Sequence, residues 1–216
     1  MFHDRQAAGQ ALAQRLGALE LGTGVVLALP RGGVPVAREV CAQLGLPLDL
    51  ILVRKIGAPG QPELAVGAIA DGGEAEPVIN AEVMRLCGLT PAEVRAMAKA
   101  EQPELDRRRA AYLGTRARLE LEGKTAVLVD DGLATGATMK AAIRAARARR
   151  AARVVVAVPI GSADTVAEMQ AEADEVVCLE TPSPFWAVGQ GYANFDQVTD
   201  AEVVDAMAAH TASPRG

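Results

Sequence analysis

Cysteine and histidine are too few and too scattered in this chain to carry chemistry as clusters. There are three cysteines, Cys41, Cys87 and Cys178, and two histidines, His3 and His210. An odd set of distant thiols predicts neither a disulfide framework nor a metal cluster, and fits buried thiols in a reducing cytoplasm. Histidines near opposite ends argue against a His-based metal site. No apolar run approaches the roughly 18–20 residues of a membrane span, so no membrane partner is expected. The opening MFHDRQAAGQ holds an acid and no apolar stretch, which predicts no secretory signal. A net charge of -5 argues against nucleic acid as the main partner. Basic residues do gather at Arg107–Arg109 and at Arg144, Arg147, Arg149, Arg150 and Arg153, where they read as solvated helix faces or ion pairs. Neither G-x-x-x-x-G-K-[ST] nor a G-x-G-x-x-G opening a helix occurs, so ATP hydrolysis and dinucleotide binding lose their usual supports.

What is present is an alternation of short apolar runs with helical patterns. Half of the 216 residues are hydrophobic, enough for one core. Asp4 is placed to cap a helix over Arg5–Leu19, with Ala8, Leu12, Leu16 and Leu19 on one face. Val25–Leu29 reads as a buried strand, Val34–Leu44 as a helix, and Leu48–Val53 as a second strand closed by Arg54-Lys55. A Gly/Pro-rich loop at Gly57–Pro62 precedes a strand at Leu64–Ile69, and Asp71-Gly72-Gly73 marks a turn. Residues 80–122 read as a helical insertion with helices near Ala81–Leu86 and Pro91–Leu121, the second opened by the capping box Thr90–Glu93. The alternation then resumes: strand 125–130, helix 137–150, strand Val154–Val158, helix Ala163–Ala173 with Ser162 as cap, and strand Glu175–Leu179. Apolar strands separated by helices predict an α/β fold, a mainly parallel sheet covered on both faces. The expected division is a core over residues 1–180 and a small C-terminal hood over 181–216, the latter ending in a helix opened by Thr199–Glu202.

In such a sheet, ligands bind beyond the carboxyl ends of the strands. Three segments leave such ends. The first is Pro30-Arg31-Gly32-Gly33, where glycines let the backbone approach an anion and a guanidinium can grip it. The second is Arg54-Lys55. The third is Asp130-Asp131-Gly132-Leu133-Ala134-Thr135-Gly136-Ala137-Thr138. There, paired acids can accept from sugar hydroxyls, and small residues at a helix start can cradle a phosphate.

LVDDGLATGAT looks like the phosphoribosyl-diphosphate (PRPP) signature of the type I phosphoribosyltransferases. PRGG resembles their pyrophosphate loop, and VRK before a Gly/Pro-rich segment resembles the strand end preceding their mobile loop. The likeness spans about residues 25–179 and implies a Rossmann-like three-layer core. By this resemblance Asp130 and Asp131 bind the ribose hydroxyls, while Ala134, Thr135, Gly136, Ala137 and Thr138 hold the 5′-phosphate. Arg31, Gly32, Gly33, Arg54 and Lys55 face the pyrophosphate. Mg²⁺ arrives on the PRPP, with Asp130 and Asp131 in reach through water and no direct protein ligand. The implied reaction moves the phosphoribosyl group to a nitrogenous base, a small-molecule acceptor of the nucleotide-salvage kind, in a cytoplasmic enzyme compatible with a homodimer.

Four of the six aromatic residues lie together: Phe185, Trp186, Tyr192 and Phe195. Phe185 or Trp186 is the expected acceptor contact, and Tyr192 and Phe195 are expected to form the hood's own small core. Three departures from the family pattern stand out. Residues 56–84 hold no Lys or Arg. Glu63 is the first charge there, and the candidate base only if the loop closes. Ala134 stands where one branch of the family has an acid, and the 80–122 insertion is long. These departures leave open a PRPP-binding regulator without transfer activity.

Overall fold

The computed structural model describes residues 1–72 and 76–211; Gly73 of the expected turn and the last residues of the expected hood lie outside the described residues. In chain order the elements are α1 (Arg5–Leu16), β1 (Val25–Ala28), α2 (Gly33–Leu44), β2 (Leu48–Leu50), β3 (Val53–Ala58), β4 (Gln61–Ala70), β5 (Val78–Ile79), α3 (Ala81–Leu86), α4 (Pro91–Leu113), β6 (Thr125–Val129), α5 (Ala137–Ala148), β7 (Arg153–Ile160), α6 (Ala163–Gln170), β8 (Glu175–Glu180) and α7 (Asp200–Thr211).

Five strands form a parallel sheet in the order β2-β1-β6-β7-β8. Its side chains alternate between two cores, as strand geometry requires. Val26, Ala28, Val127, Val129, Val155 and Ala157 pack with Leu12, Val40, Leu105 and Met207 on the face of α1, α2, α4 and α7. Val25, Leu27, Ala126, Leu128, Val154 and Val156 pack with Met139, Ala142, Ile143 and Ala146 of α5 on the other. The expected three-layer α/β arrangement is therefore present. From β1 the chain builds outward to β2, and from β6 in the opposite direction to β7 and β8. The topological switch lies between β1 and β6, where a crevice opens at their carboxyl ends.

The sequence pattern misplaces one element. Leu48–Val53 is not one strand. Pairing with β1 ends at Leu50; Leu52 N–H donates to Asp71 Oδ1 at 2.7 Å, and from Val53 the chain pairs antiparallel with β4. Arg54-Lys55 therefore lies inside β3 of a second sheet, β3-β4-β5, and not at the carboxyl end of β2. The Gly/Pro-rich segment is the tight turn of the β3–β4 hairpin.

The insertion is helical, but α4 stops at Leu113, where Gly114 turns to φ +57°. The capping boxes Thr90–Glu93 and Thr199–Glu202 and the Asp4 and Ser162 caps all form. A buried ion network latches the insertion to the core: Arg109 donates to Asp49 (2.7 Å), Asp71 (3.2 Å) and the Leu50 carbonyl (3.1 Å). Of the arginine run read as solvated or paired, Arg109 is paired but buried.

Candidate active site

The loops after β1 and β6 meet at the switch point. Gly32 has ordinary helical backbone, yet a Cβ there would penetrate the Asp131 carboxylate; one on Gly33 would fall 2.5 Å from the Val129 carbonyl oxygen. Glycine is needed here for close approach, not for unusual dihedrals. The sequence thereby seats the backbone of Arg31-Gly32-Gly33 against Asp130 and Asp131, and the Pro30–Arg31 peptide is cis.

Beyond the acids, Leu133 N–H donates to Ile160 O (2.8 Å) and Ser162 N–H to Leu133 O (3.1 Å). The Thr165 hydroxyl donates to Ala134 O at 2.6 Å. These bonds fix the loop to β7 and α6. Gly136 then turns with φ +72° and starts α5 without a side-chain cap. Among the described residues, the amides of Ala134, Thr135, Gly136, Ala137 and Thr138 donate to no protein acceptor, and Ala134 and Thr135 are exposed. Open amides at the positive end of a helix dipole form an anion seat.

Asp130 and Asp131 behave as a pair. Burial, then the charge of Asp131, pushes Asp130 well above the usual carboxylate range. Burial also raises Asp131, opposed by the charge and hydrogen bond of Arg5. Arg5 of α1 donates from Nε to Asp131 Oδ2 at 2.9 Å, binds the Asp196 carbonyl, and lies 3.9 Å above the ring of Phe195. The Tyr192 hydroxyl donates to the Asp131 carbonyl at 2.5 Å, and burial raises its pKa. Sequence reasoning had Tyr192 as hood packing alone and gave Arg5 no role beyond opening a helix. Nothing local to Arg5 signals a carboxylate 126 positions away.

Arg54 and Lys55, expected to face one pyrophosphate, diverge because neighbours on a strand point to opposite faces. Lys55 shares a cavity of about 480 Å³ with Thr135, Ala137, Lys140 and Asn80. Arg54 turns to α4, where it pairs with Glu101 and Glu104, and lines a second cavity of about 690 Å³ with Arg31. Glu63 is exposed near the start of β4 with no partner among the described residues.

In the tail, Tyr192 and Phe195 stack at 5.0 Å and join Phe2 of the amino-terminal segment. Their expected packing role is seen, but shared with the start of the chain. Phe185 packs against the small cluster of Ala8, Ile160 and Tyr192, whereas Trp186 is 82% exposed. Among the described residues no group of three or more His, Cys, Asp or Glu could hold a metal ion, and no helix is long and apolar enough to cross a membrane.

A doubly wound parallel sheet with a glycine-lined turn, paired acids and an open helix start at its switch point defines a three-layer α/β domain with its ligand crevice at that point. The chain belongs to the phosphoribosyl transferase domain family, whose pattern matches residues 3–194. It is 43% identical to a protein of Thermus thermophilus of known crystal structure, with a TM-score of 0.82 over 96% of this chain and 98% of that one. A Mycobacterium tuberculosis H37Rv protein, named provisionally as a phosphoribosyl transferase, is 53% identical over 204 residues, 94% of this chain and 46% of its own length. The chain thus spans about half the length of the curated relatives it matches. A hypothetical protein of Neisseria gonorrhoeae shares the fold at 16% identity, with a TM-score of 0.54 over 97% of this chain and 96% of that one.

Proposed function

We propose that this chain transfers the 5-phosphoribosyl group of PRPP to a nitrogenous base and releases pyrophosphate. The observation that carries the reading is the seating of Gly32 and Gly33 against Asp131 and Asp130, beside five amides without acceptors. In this reading Ala134–Thr138 take the 5′-phosphate, and Asp130 and Asp131 accept from the ribose hydroxyls. Arg31, Gly32, Gly33 and Lys55 meet the pyrophosphate, with Arg54 turned away toward α4. The two acids fit a Mg²⁺ that keeps most of its ligands from substrate phosphates; that ion supplies charge neutralisation of the leaving group. The residues themselves position the sugar and stabilise charge as C1 becomes cationic. Trp186, with Phe185 beside it, offers a ring to the base, and Glu63 serves as base when the hairpin closes. The division into a 1–180 core and a 181–216 hood, action on nucleobases in salvage, and a cytoplasmic setting that suits three free cysteines belong to the same proposal.

A second reading, a PRPP-binding regulator without transfer, is favoured by the arginine on Asp131 and by the lack of cations in 56–84. Titration calorimetry with PRPP and Mg²⁺ tests both: wild type binds, and Asp131→Asn weakens binding. No binding by the wild type sinks both readings. A panel of bases with pyrophosphate detection then separates them, since binding without release for any base leaves the regulator.

A further inference from the structure

The second cavity, of about 690 Å³, shares only Arg31 with the residues proposed above to meet PRPP or the base. One wall is Arg31 of the glycine turn and Arg54 of β3; the other is Arg107, Arg108 and Tyr112 of α4; Asp200 of α7 closes the end. Four guanidinium groups against two lining carboxylates, Glu104 and Asp200, make this cavity cationic in a chain of net charge -5. The arginines are held by exchangeable partners. Arg54 pairs with Glu101 and Glu104, Arg107 with Glu104, and Arg31 with Asp200 at 3.6 Å, all partly exposed to water. Exposed pairs of this kind are worth about 0–1 kcal/mol each, so an incoming polyanion displaces the carboxylates at little cost. Arg108 makes no salt bridge among the described residues; it contacts the Tyr112 hydroxyl at 3.4 Å and lies 6.0 Å from the centre of that ring. Several arginine forks around one space suit a chain of phosphoryl groups, which each fork can grip with two parallel bonds.

We propose that this cavity is a second anion site, for an oligophosphate-bearing small molecule that acts as an effector and not as the acceptor. The effector role rests on the PRPP reading. In a displacement at C1 the acceptor approaches from the face opposite the departing pyrophosphate, and this cavity opens on the side of Arg31, the leaving-group side. The helical insertion, without an assigned role until now, supplies Arg107, Arg108 and Tyr112. An oligophosphate seated here draws Arg31 away from the pyrophosphate and so weakens PRPP binding or speeds product release.

The probes are inorganic tripolyphosphate and ATP, with Mg²⁺ in excess, titrated calorimetrically into the full chain with and without saturating PRPP. The variant is Arg107→Ala/Arg108→Ala, with Arg108→Gln as a milder partner should the double change disturb α4. Wild type is expected to bind at least one probe in both settings. The double variant is expected to bind it at least tenfold more weakly, with PRPP affinity changed less than twofold. Stronger binding of ATP than of tripolyphosphate identifies a nucleotide-borne chain, and equal binding an inorganic one; both support the site. Absence of binding by the wild type, or equal binding by the wild type and both variants, overturns it. If PRPP itself does not bind, the probe titrations without PRPP still read the anion site through Arg107 and Arg108, so the two proposals fail separately.

Discussion

Arg5 and Asp131, 126 positions apart, form a 2.9 Å ion pair in which both side chains are mostly buried, at 12% and 15% exposure. The first helix therefore supplies a cation to the carboxylate at the switch point, the one proposed to meet the sugar. Arg5 takes only one oxygen, Oδ2, and is itself fixed by the Asp196 carbonyl and the Phe195 ring. Its charge opposes the burial that raises the Asp131 pKa.

Arg5→Ala should weaken PRPP binding about tenfold, or ~1.4 kcal/mol. Because Asp131 then loses its opposing charge, the pH below which PRPP no longer binds should move upward. Calorimetry across a pH series checks both. Unchanged affinity and an unchanged profile would make Arg5 a packing residue alone.

Asp130→Asn should stabilise the empty protein and abolish tight PRPP binding. A carboxyl whose folded pKa is raised carries no penalty below the ordinary carboxylate range, about pH 4; the penalty grows as pH rises from there through the folded pKa. Stability of the empty wild type should therefore fall over that window, and the variant should lose most of this slope. The asparagine carbonyl can still accept the Asp131 amide, which Asp130 now does at 2.9 Å. A gain of about 0.5–2 kcal/mol near neutral pH is expected in denaturant unfolding.

Gly32→Ala should displace the Asp131 carboxylate. Overpacking of this kind typically costs about 1–3 kcal/mol, and here the displaced group is the carboxylate proposed to meet ribose. The variant should lose PRPP binding more severely than it loses melting temperature, as paired calorimetry and thermal unfolding would show.

Arg109→Met should cost about 3–5 kcal/mol, because it leaves Asp49 buried without its cation and Asp71 with Arg118 alone, at 3.4 Å. Adding Asp49→Asn and Asp71→Asn should recover part of the loss. Denaturant midpoints of the single and triple variants test this.

Trp186→Ala should leave stability within about 0.5 kcal/mol, since the ring is 82% exposed. Loss of base stacking, worth about 1–3 kcal/mol elsewhere, should raise the acceptor KM and spare PRPP affinity. Equal effects on both would return Trp186 to the packing of the tail.

The parts of this molecule that were legible in its sequence are those decided locally. The apolar runs at Val25 and Ala126, the caps at Asp4, Thr90, Ser162 and Thr199, and the small-residue turn before α5 each state their structure within a few residues. The β2–β3 boundary was not legible. Leu48–Val53 is one continuous apolar run, and the break at Leu50 is imposed by Asp71 taking the Leu52 amide from another strand. The Arg5–Asp131 pair and the burial of Arg109 are likewise products of folding, since each joins segments with no local signal for the other. The motif after β6 located the turn that starts α5, while the groups that touch its second acid came from α1 and the tail.

The alternation of Arg54 and Lys55 makes β3 a party wall between two chambers, with one cation facing each. A rigid strand cannot tilt one of these side chains inward without tilting its neighbour outward. Whatever free energy an occupant of one chamber spends in moving this wall must be felt, with equal size, by an occupant of the other. The hairpin would then act as a balance beam between the loop before α5 and the helical insertion.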